Sequence, residues 1–168
     1  MTSISSGKPT WRFMLTHPAH LLALGFGSGL AWFMPGTFGT LMGWLLYVWL
    51  DPYLVANQWI WVIGGAFVVG AWACQITGKA LGVMDHGGIV WDEIVAIWLV
   101  LFVTAGHFSS PMGQLCCVAL FRFFDMVKPP PVRWFDQHWK NGFGVMFDDI
   151  VAAFMTLLTL AVYLYFLN

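Results

Sequence analysis

The sequence has little charge. It contains seven Lys and Arg and eight Asp and Glu in 168 residues, with a formal net charge of -1 at pH 7. Charged residues are 9% of the chain and hydrophobic residues 60%, whereas a soluble domain is typically about 25% charged. So few charged side chains could not cover a water-facing surface, and the near-neutral balance argues against a nucleic-acid partner. The composition predicts one integral-membrane domain over residues 1–168.

Cysteine is also scarce and lacks useful spacing. Cys74, Cys116 and Cys117 form no C-x-x-C or Cys/His pattern, so we expect neither a disulfide framework nor a zinc site. The interval from Cys116 to Arg122 matches the C-x5-R spacing of cysteine phosphatases. The residues between them are apolar and include no glycine, whereas a reactive thiolate needs electropositive surroundings. Cysteine catalysis is therefore not expected.

The gaps between charges predict the architecture. A membrane-spanning helix needs about 20 mainly apolar residues. Stretches without Asp, Glu, Lys or Arg occur at residues 13–50, 52–78, 94–121 and 150–168. Divided at their Gly and Pro clusters, they predict helices near 38–50, 53–76, 94–105, 112–123 and 150–167. We expect an all-α, polytopic membrane helical bundle with about four to five transmembrane helices. A glycine-rich N-terminal segment near 21–33 would span, re-enter or lie in the interface.

The distribution of basic residues predicts the orientation. If these helices alternate in direction, the turns at 51–53 and 106–111 lie on one side and contain one acid, Asp51, and no base. All seven Lys and Arg then lie on the other side, provided that segment 21–33 does not cross completely. The positive-inside rule makes that side cytoplasmic.

Three segments on the predicted cytoplasmic side could carry chemistry. The first runs from Gly25 to Thr40 and combines glycines with the hydroxyls of Ser28, Thr37 and Thr40. Backbone N–H groups, a helix N-terminus and hydroxyls suit a phosphate. Close packing of small residues between membrane helices, with Thr37 as a helix N-cap, explains the same pattern and is the simpler interpretation.

The second segment contains Asp92 and Glu93, and a similar acid pair, Asp148 and Asp149, precedes the last predicted helix. One such pair is explained by favourable interaction with the positive end of a helix dipole. Two pairs at the same membrane face repel each other unless a cation neutralises them. Oxygen ligands favour Mg²⁺ or Mn²⁺.

The third segment contains Arg122, Lys128 and Arg133, with three prolines between the last two. Arginine binds phosphate oxygens bidentately and lysine binds them as a point charge. Attraction of a basic cluster to anionic lipid headgroups would explain these residues equally well.

Together these segments resemble the phosphatidylglycerophosphatase A family, bacterial membrane enzymes in one superfamily with soluble, all-helical YutG-like proteins. The resemblance covers roughly residues 17–150. It rests on H-P-A-H-L-L-A-L-G-F-G-S-G-L from His17, P-G-T-F-G-T-L from Pro35, D-H-G-G-I-V-W-D-E from Asp85, F-R-F-F-D-M-V-K-P-P-P-V from Phe121 and G-F-G-V-M-F-D-D-I-V-A from Gly142. Five motifs in this order are specific. Thr40 stands where the family pattern is expected to have serine.

The resemblance implies Mg²⁺-dependent hydrolysis of phosphatidylglycerophosphate to phosphatidylglycerol and inorganic phosphate, at the cytoplasmic face of the bacterial inner membrane. It places an acidic motif on Asp85, Asp92 and Glu93, an F-R-x-x-D-x-x-K-P motif on Arg122, Asp125 and Lys128, and a D-D motif on Asp148 and Asp149. Our hypothesis is that the four paired acids, with Asp85, bind Mg²⁺ and that the catalytic residues are Asp92, Asp125 and Asp149. The nucleophile would be water or the carboxylate of Asp125 or Asp92.

Two alternatives stay open on the sequence. A small membrane transporter or complex subunit would explain the hydrophobicity, although its functional charges are expected near the bilayer midplane. A phosphatase for another lipid phosphate, such as phosphatidate, would use the same residues. The sequence fixes neither the oligomeric state nor the number of metal ions.

Overall fold

The computed structural model describes residues 8–130, 134 and 138–167. Within these residues every regular element is helical, which confirms the all-α prediction. The α-helices are α1 (Trp11–Met14), α2 (Pro18–Ala23), α3 (Pro35–Leu50), α4 (Ala56–Leu81), α5 (Trp91–Thr104), α6 (Pro111–Val127) and α7 (Gly142–Leu167). Short 3₁₀ helices cover Gly25–Leu30 and Asp51–Tyr53.

Helix α5 is the centre of the bundle. Its residues are apolar on all sides after the first turn, a pattern typical of a helix that is surrounded by other helices. Ile94, Val95, Ala96, Ile97 and Val100 are fully buried. The helix packs against α2, α3, α4, α6 and α7. It therefore holds its first turn, with Asp92 and Glu93, between the ends of its neighbours.

Two helices, α4 and α7, are long and apolar enough to cross a membrane. Within Ala56–Leu81 and Gly142–Phe166, stretches of 18 residues reach mean hydropathies of 1.6 and 1.9. Helices α3, α5 and α6 have 16, 14 and 17 residues, short of the roughly 20 that a span needs. A membrane helical bundle is consistent with this architecture, and the crossing of four to five helices stays a prediction.

The glycine-rich segment near 21–33 does not form a continuous helix. Phe26 and Gly27 have φ values of 55° and 106°, which interrupt the 3₁₀ turn. The chain is attached to the bundle by a hydrogen bond from the Val90 N–H to the Ala23 carbonyl, 2.9 Å long. Lys8 lines a cavity together with His86 in the α4–α5 connection. The segment thus folds back, and the N-terminal Lys8 lies at the same end of the bundle as that connection.

Helix boundaries differ from the prediction at two functional segments. Helix α7 begins at Gly142 and not near residue 150, because the Asn141 side-chain oxygen accepts from the Gly144 N–H at 2.8 Å. Asp148 and Asp149 therefore lie inside α7 instead of opening it. Helix α3 begins at Pro35, and Thr37 lies within the helix and is not its N-cap. Proline suits this first position because it has no N–H to satisfy.

Candidate active site

The acids that the sequence predicts as functional lie together at one end of the bundle. This end, called the charged end below, is formed by the α4–α5 connection, the first turn of α5, the last turns of α6 and the first turns of α7. Buried there, with exposed fractions of 3 to 9%, are Asp92, Glu93, Asp125, Asp148 and Asp149. Buried acids are costly unless they are paired with positive charge, so their neighbours decide what the site does.

Arg122 joins α5 to α6 at the charged end. Its Nη1 donates to Glu93 Oε1 at 2.8 Å and also contacts the Asp125 carboxylate. The three side chains are 11 to 12% exposed, so this is a largely desolvated ion-pair network. Removing one member of such a network typically costs about 3–5 kcal/mol, because a buried charge is left without compensation.

Lys128 joins α6 to α7 and to the α4–α5 connection. It ends α6 with φ 44°, and its Nζ donates to Asp148 Oδ2 at 3.0 Å. The same Nζ lies 3.9 Å from Asp85 Oδ2. Asp85 is the most exposed of the acids, with 59% of its side chain accessible. Lys128 thus places a cation between a solvent-facing acid and a buried one.

Two glycines let α3 approach this network. A side chain at Gly36 would collide with Glu93 Oε1 and would lie 2.9 Å from the Arg122 nitrogens. A Cβ at Gly39 would lie 2.7 Å from Glu93 Oε2. The glycines of the P-G-T-F-G-T motif therefore bring the N-terminus of α3 against the Arg122–Glu93 pair. The glycine and hydroxyl pattern of this motif predicted phosphate binding or helix packing, and it did not predict the contact with these two residues.

The electrostatics of the first turn of α5 favour a bound cation. This turn lies outside the two candidate membrane spans. Burial raises the pKa of Asp92 well above its usual range, and the carboxylates of Glu93 and Asp148 raise it further. Burial also raises the pKa of Glu93 to about 8, although the Arg122 guanidinium lowers it. Positive charge supplied to this site would allow both acids to ionise near neutral pH.

Several buried polar atoms have no hydrogen-bond partner among the described residues. They include Asp149 Oδ2, Glu93 Oε2, Arg122 Nε and Thr37 Oγ1. Such atoms are uncommon in folded proteins. Asp149 interacts electrostatically with Asp125, Asp92 and other acids, so among the described residues the acids of the site outnumber its bases. Unpartnered carboxylate oxygens and an acid excess are features that fit a Mg²⁺ ligand set.

The side chains do not form a ready-made metal cage. Over the described part of the chain, no group of three or more His, Cys, Asp or Glu side chains is placed to hold an ion. Arg122 and Lys128 take up several of the carboxylate oxygens instead. The predicted ligands Asp85, Asp92, Glu93, Asp148 and Asp149 share the charged end, and metal binding by them stays a prediction.

The predicted phosphate-binding hydroxyls have different surroundings. Ser28 Oγ donates to the Gly25 carbonyl and Thr40 Oγ1 to the Gly36 carbonyl, each at 2.9 Å. Both donors are used within their own segments. Thr37 Oγ1 is the one of the three whose buried oxygen has no partner in the described structure. The predicted phosphate ligand Arg133 lies outside the described residues.

A cavity of about 310 Å³ opens beside the ion pairs of Lys128. Its lining includes Asp85 and Asp148 from the acid cluster and Trp139 and Lys140 from the segment before α7. Lys140 is not among the functional residues that the sequence predicts. The only signal for it was its position directly before Asn141-Gly142, where the acid-bearing helix begins.

Comparison with known proteins gives consistent matches. The family model described as Phosphatidylglycerophosphatase A matches residues 21–164. Phosphatidylglycerophosphatase A of Haemophilus influenzae is 43% identical over 150 residues, which cover 89% of this chain and 91% of that protein. The protein of the same name from Escherichia coli is 40% identical over 145 residues, 84% of this chain and 80% of that protein.

A third relative has a different name. A Bacteroides thetaiotaomicron protein, provisionally named a phosphatidylinositol-3-phosphatase, is 33% identical over 146 residues, 84% of this chain and 91% of that protein. The search of solved structures gave no match.

Proposed function

The chain belongs to the phosphatidylglycerophosphatase A family and is a phosphatase, and from this premise we propose that its substrate is phosphatidylglycerophosphate. The products would be phosphatidylglycerol and inorganic phosphate. We place the reaction at the cytoplasmic face of the bacterial inner membrane and expect it to require Mg²⁺. Membership in an enzyme family also sets aside a purely structural or transport role.

One observation supports this proposal most strongly. Arg122 and Lys128 lie at the same end of an apolar bundle, and buried acids hold each of them in place. A lipid's terminal phosphate extends out of the bilayer while its acyl chains stay in it. Two fixed cations at the end of a membrane bundle are therefore suitably placed to bind a lipid phosphate.

Substrate binding would exchange partners within these ion pairs. A phosphate monoester offers acceptor oxygens that compete with Glu93 for the Arg122 guanidinium. It competes in the same way with Asp148 for Lys128. The transition state of phosphoryl transfer spreads negative charge over the phosphate oxygens, and cations that are already oriented stabilise that charge without reorganisation.

The exchange would release the carboxylates of Glu93 and Asp148, which share the charged end with Asp92 and Asp149. These four acids, with Asp85 at the exposed edge, have the chemistry to hold Mg²⁺. When bound, Mg²⁺ supplies positive charge to the phosphate oxygens and activates a water molecule for attack. Asp149 supports this assignment best, because its buried Oδ2 has no protein partner among the described residues.

The contacts of Asp125 favour a positioning role for this residue. Its carboxylate contacts Arg122, three residues earlier on α6, and so orients the guanidinium toward Glu93. A carboxylate engaged in this way is a poorer nucleophile than a free one. We therefore favour water over the Asp125 carboxylate as the attacking group. Acid quenching during turnover of the lipid phosphate, followed by mass spectrometry of the intact protein, would reveal an aspartyl-phosphate if one forms.

The test is phosphate release by the purified, detergent-solubilised protein. Phosphatidylglycerophosphate, phosphatidate and phosphatidylinositol 3-phosphate are compared at equal surface concentration, each with Mg²⁺ and with a chelator. We expect release from phosphatidylglycerophosphate to be fastest and to stop when the metal is chelated. A higher rate on either other lipid would contradict the substrate, and an undiminished rate in chelator would contradict the metal.

The variant Asp92→Asn separates chemistry from folding. It keeps the shape of the side chain and its acceptor for the Glu93 N–H, at 3.1 Å. We expect it to insert into membranes normally and to lose phosphate release. Normal activity in this variant would exclude Asp92 from both of its proposed roles, as metal ligand and as catalytic residue.

A further inference from the structure

The cavity beside Lys128 is lined by acidic residues and also by a base and an aromatic residue. Asp148, with a 6% exposed side chain, and Asp85 lie on the side of the acid cluster. Trp139 and Lys140 line the cavity from the segment before α7. Its volume of about 310 Å³ is at the low end of the roughly 300–1,000 Å³ of small-molecule sites. The cavity would therefore hold a lipid headgroup but not the acyl chains.

Lys140 differs from the other bases of the charged end. Arg122 and Lys128 are paired with acids, whereas Lys140 makes no ion pair with any residue that the structure describes. It is exposed and lies on the lining of the cavity. An unpaired ammonium on a flexible stem beside a headgroup-sized cavity can bind an anion without first breaking a protein contact.

We propose that this cavity is a second phosphate subsite, in which Lys140 binds the phosphodiester of the lipid substrate. This proposal rests on the proposed function and extends it to the part of the substrate that does not react. The terminal phosphate would lie at Arg122, Lys128 and the buried acids. The diester would lie at Lys140, with the Trp139 ring beside the glycerol that joins the two phosphates.

We assign the diester to Lys140 because of where each part of the lipid lies relative to the bilayer. The acyl chains stay in the bilayer and the terminal phosphate reaches the buried acids. The diester joins these two parts of the lipid, so it lies at the level of the membrane headgroups. Exposed Lys and Trp are the side chains that favour this level, because each combines an apolar body with a polar end. Lys140 and Trp139 have this character, whereas Asp148 on the acid wall is buried. The subsite would distinguish a lipid with two phosphates from phosphatidate, which has no diester.

The first test is the kinetics of Lys140→Gln in the full chain. With phosphatidylglycerophosphate in mixed micelles we expect KM to rise about tenfold, as for one lost charge-assisted contact, and kcat to change less than twofold. Lys140→Arg keeps the charge and should restore KM to within about twofold of the wild type. Lys79→Gln is the matched control, because Lys79 is an exposed lysine in the last turn of α4 and does not line the cavity.

Product inhibition identifies which phosphate Lys140 binds. Phosphatidylglycerol retains only the diester, and inorganic phosphate represents only the terminal group. Lys140→Gln should weaken inhibition by phosphatidylglycerol about tenfold and leave inhibition by inorganic phosphate unchanged. The reverse pattern would show that Lys140 binds the terminal phosphate and would overturn the subsite. An unchanged KM would also overturn it, whereas absence of phosphate release by the wild type would overturn the proposed function itself.

Discussion

Asp149 is a buried acid that lies among other acids. Its side chain is buried, its Oδ2 has no partner among the described residues, and the acids that surround it include Asp92, Asp125 and Glu93. A carboxylate in such a position destabilises the fold unless a cation is bound. Selection for function rather than stability explains why it is tolerated.

We predict opposite effects of Asp149→Asn on activity and stability. Loss of a metal ligand should lower kcat/KM at least about 100-fold, equivalent to roughly 3 kcal/mol of transition-state stabilisation. In chelator the same change should raise Tm by about 2 °C or more, because one of several like charges is removed. Phosphate release and thermal unfolding in detergent measure the two effects.

Asp51→Asn, at the opposite end of the bundle, should leave activity unchanged. A lower Tm for Asp149→Asn in chelator would contradict the repulsion argument.

The second prediction for a single residue concerns Arg122. Arg122→Lys keeps the charge but cannot reproduce a planar guanidinium that contacts both Glu93 and Asp125. We expect a loss of about 3 kcal/mol in the free energy of unfolding and a rise in KM. Arg12→Lys, an exposed arginine on α1, is the matched control. Equal stability of the two variants, measured by denaturant titration in detergent, would show that the ion-pair network contributes little.

Helix α3 is positioned by contacts that only glycine permits. Gly36→Ala would place a methyl group against Glu93 Oε1 and Arg122, so α3 must move away from α5 and α6. We expect a loss of about 1–3 kcal/mol in stability, as for an overpacked core, and a marked loss of activity. Gly64→Ala on α4 is the control, since a Cβ there meets nothing within 4 Å and alanine favours a helix. Wild-type phosphate release by Gly36→Ala would show that the approach of α3 to Arg122 is not required.

The element boundaries show what sequence reasoning could and could not reach. Proline and glycine clusters correctly predicted the break between α5 and α6, where Ser110 caps the helix that starts at Pro111. The start of α7 was placed eight residues too late, near 150 instead of 142, because the acid pair Asp148 and Asp149 was interpreted as a helix start. Their burial inside α7 depends on packing against α4, α5 and α6, which no local pattern encodes.

The sequence predicts which residues belong to the candidate site but not which acid forms an ion pair with which base. Residue type and spacing identify Glu93, Arg122, Lys128 and Asp148 as site residues. Which acid pairs with which base depends on the rotation of α6 relative to α5 and α7. The contact of Gly36 with Glu93 likewise depends on the approach of two helices. These are properties of tertiary packing, so the sequence could not supply them.

At the scale of the whole molecule, the distribution of charge agrees with one orientation. The α4–α5 connection, the end of α6 and the start of α7 meet in the ion pairs of Lys128. The opposite end contains the turn Asp51–Tyr53, where Asp51 accepts from Trp59 Nε1 at 3.0 Å. The sequence-based orientation required that residues 21–33 do not cross the membrane completely. Their fold-back agrees with this requirement, because Lys8 lies beside the α4–α5 connection.

The orientation makes a prediction for labelling with a membrane-impermeant maleimide. In a Cys116→Ser background, which removes the one exposed cysteine, Tyr53→Cys marks the end of the Asp51 turn and Lys79→Cys marks the charged end. By the positive-inside rule, we expect Tyr53→Cys to react in intact spheroplasts and Lys79→Cys to react only after the membrane is opened. Phosphate release by each variant confirms that it is folded. If Lys79→Cys reacts in intact spheroplasts while Tyr53→Cys is protected, the charged end faces outward. The lipid phosphate would then have to be hydrolysed on the outer leaflet.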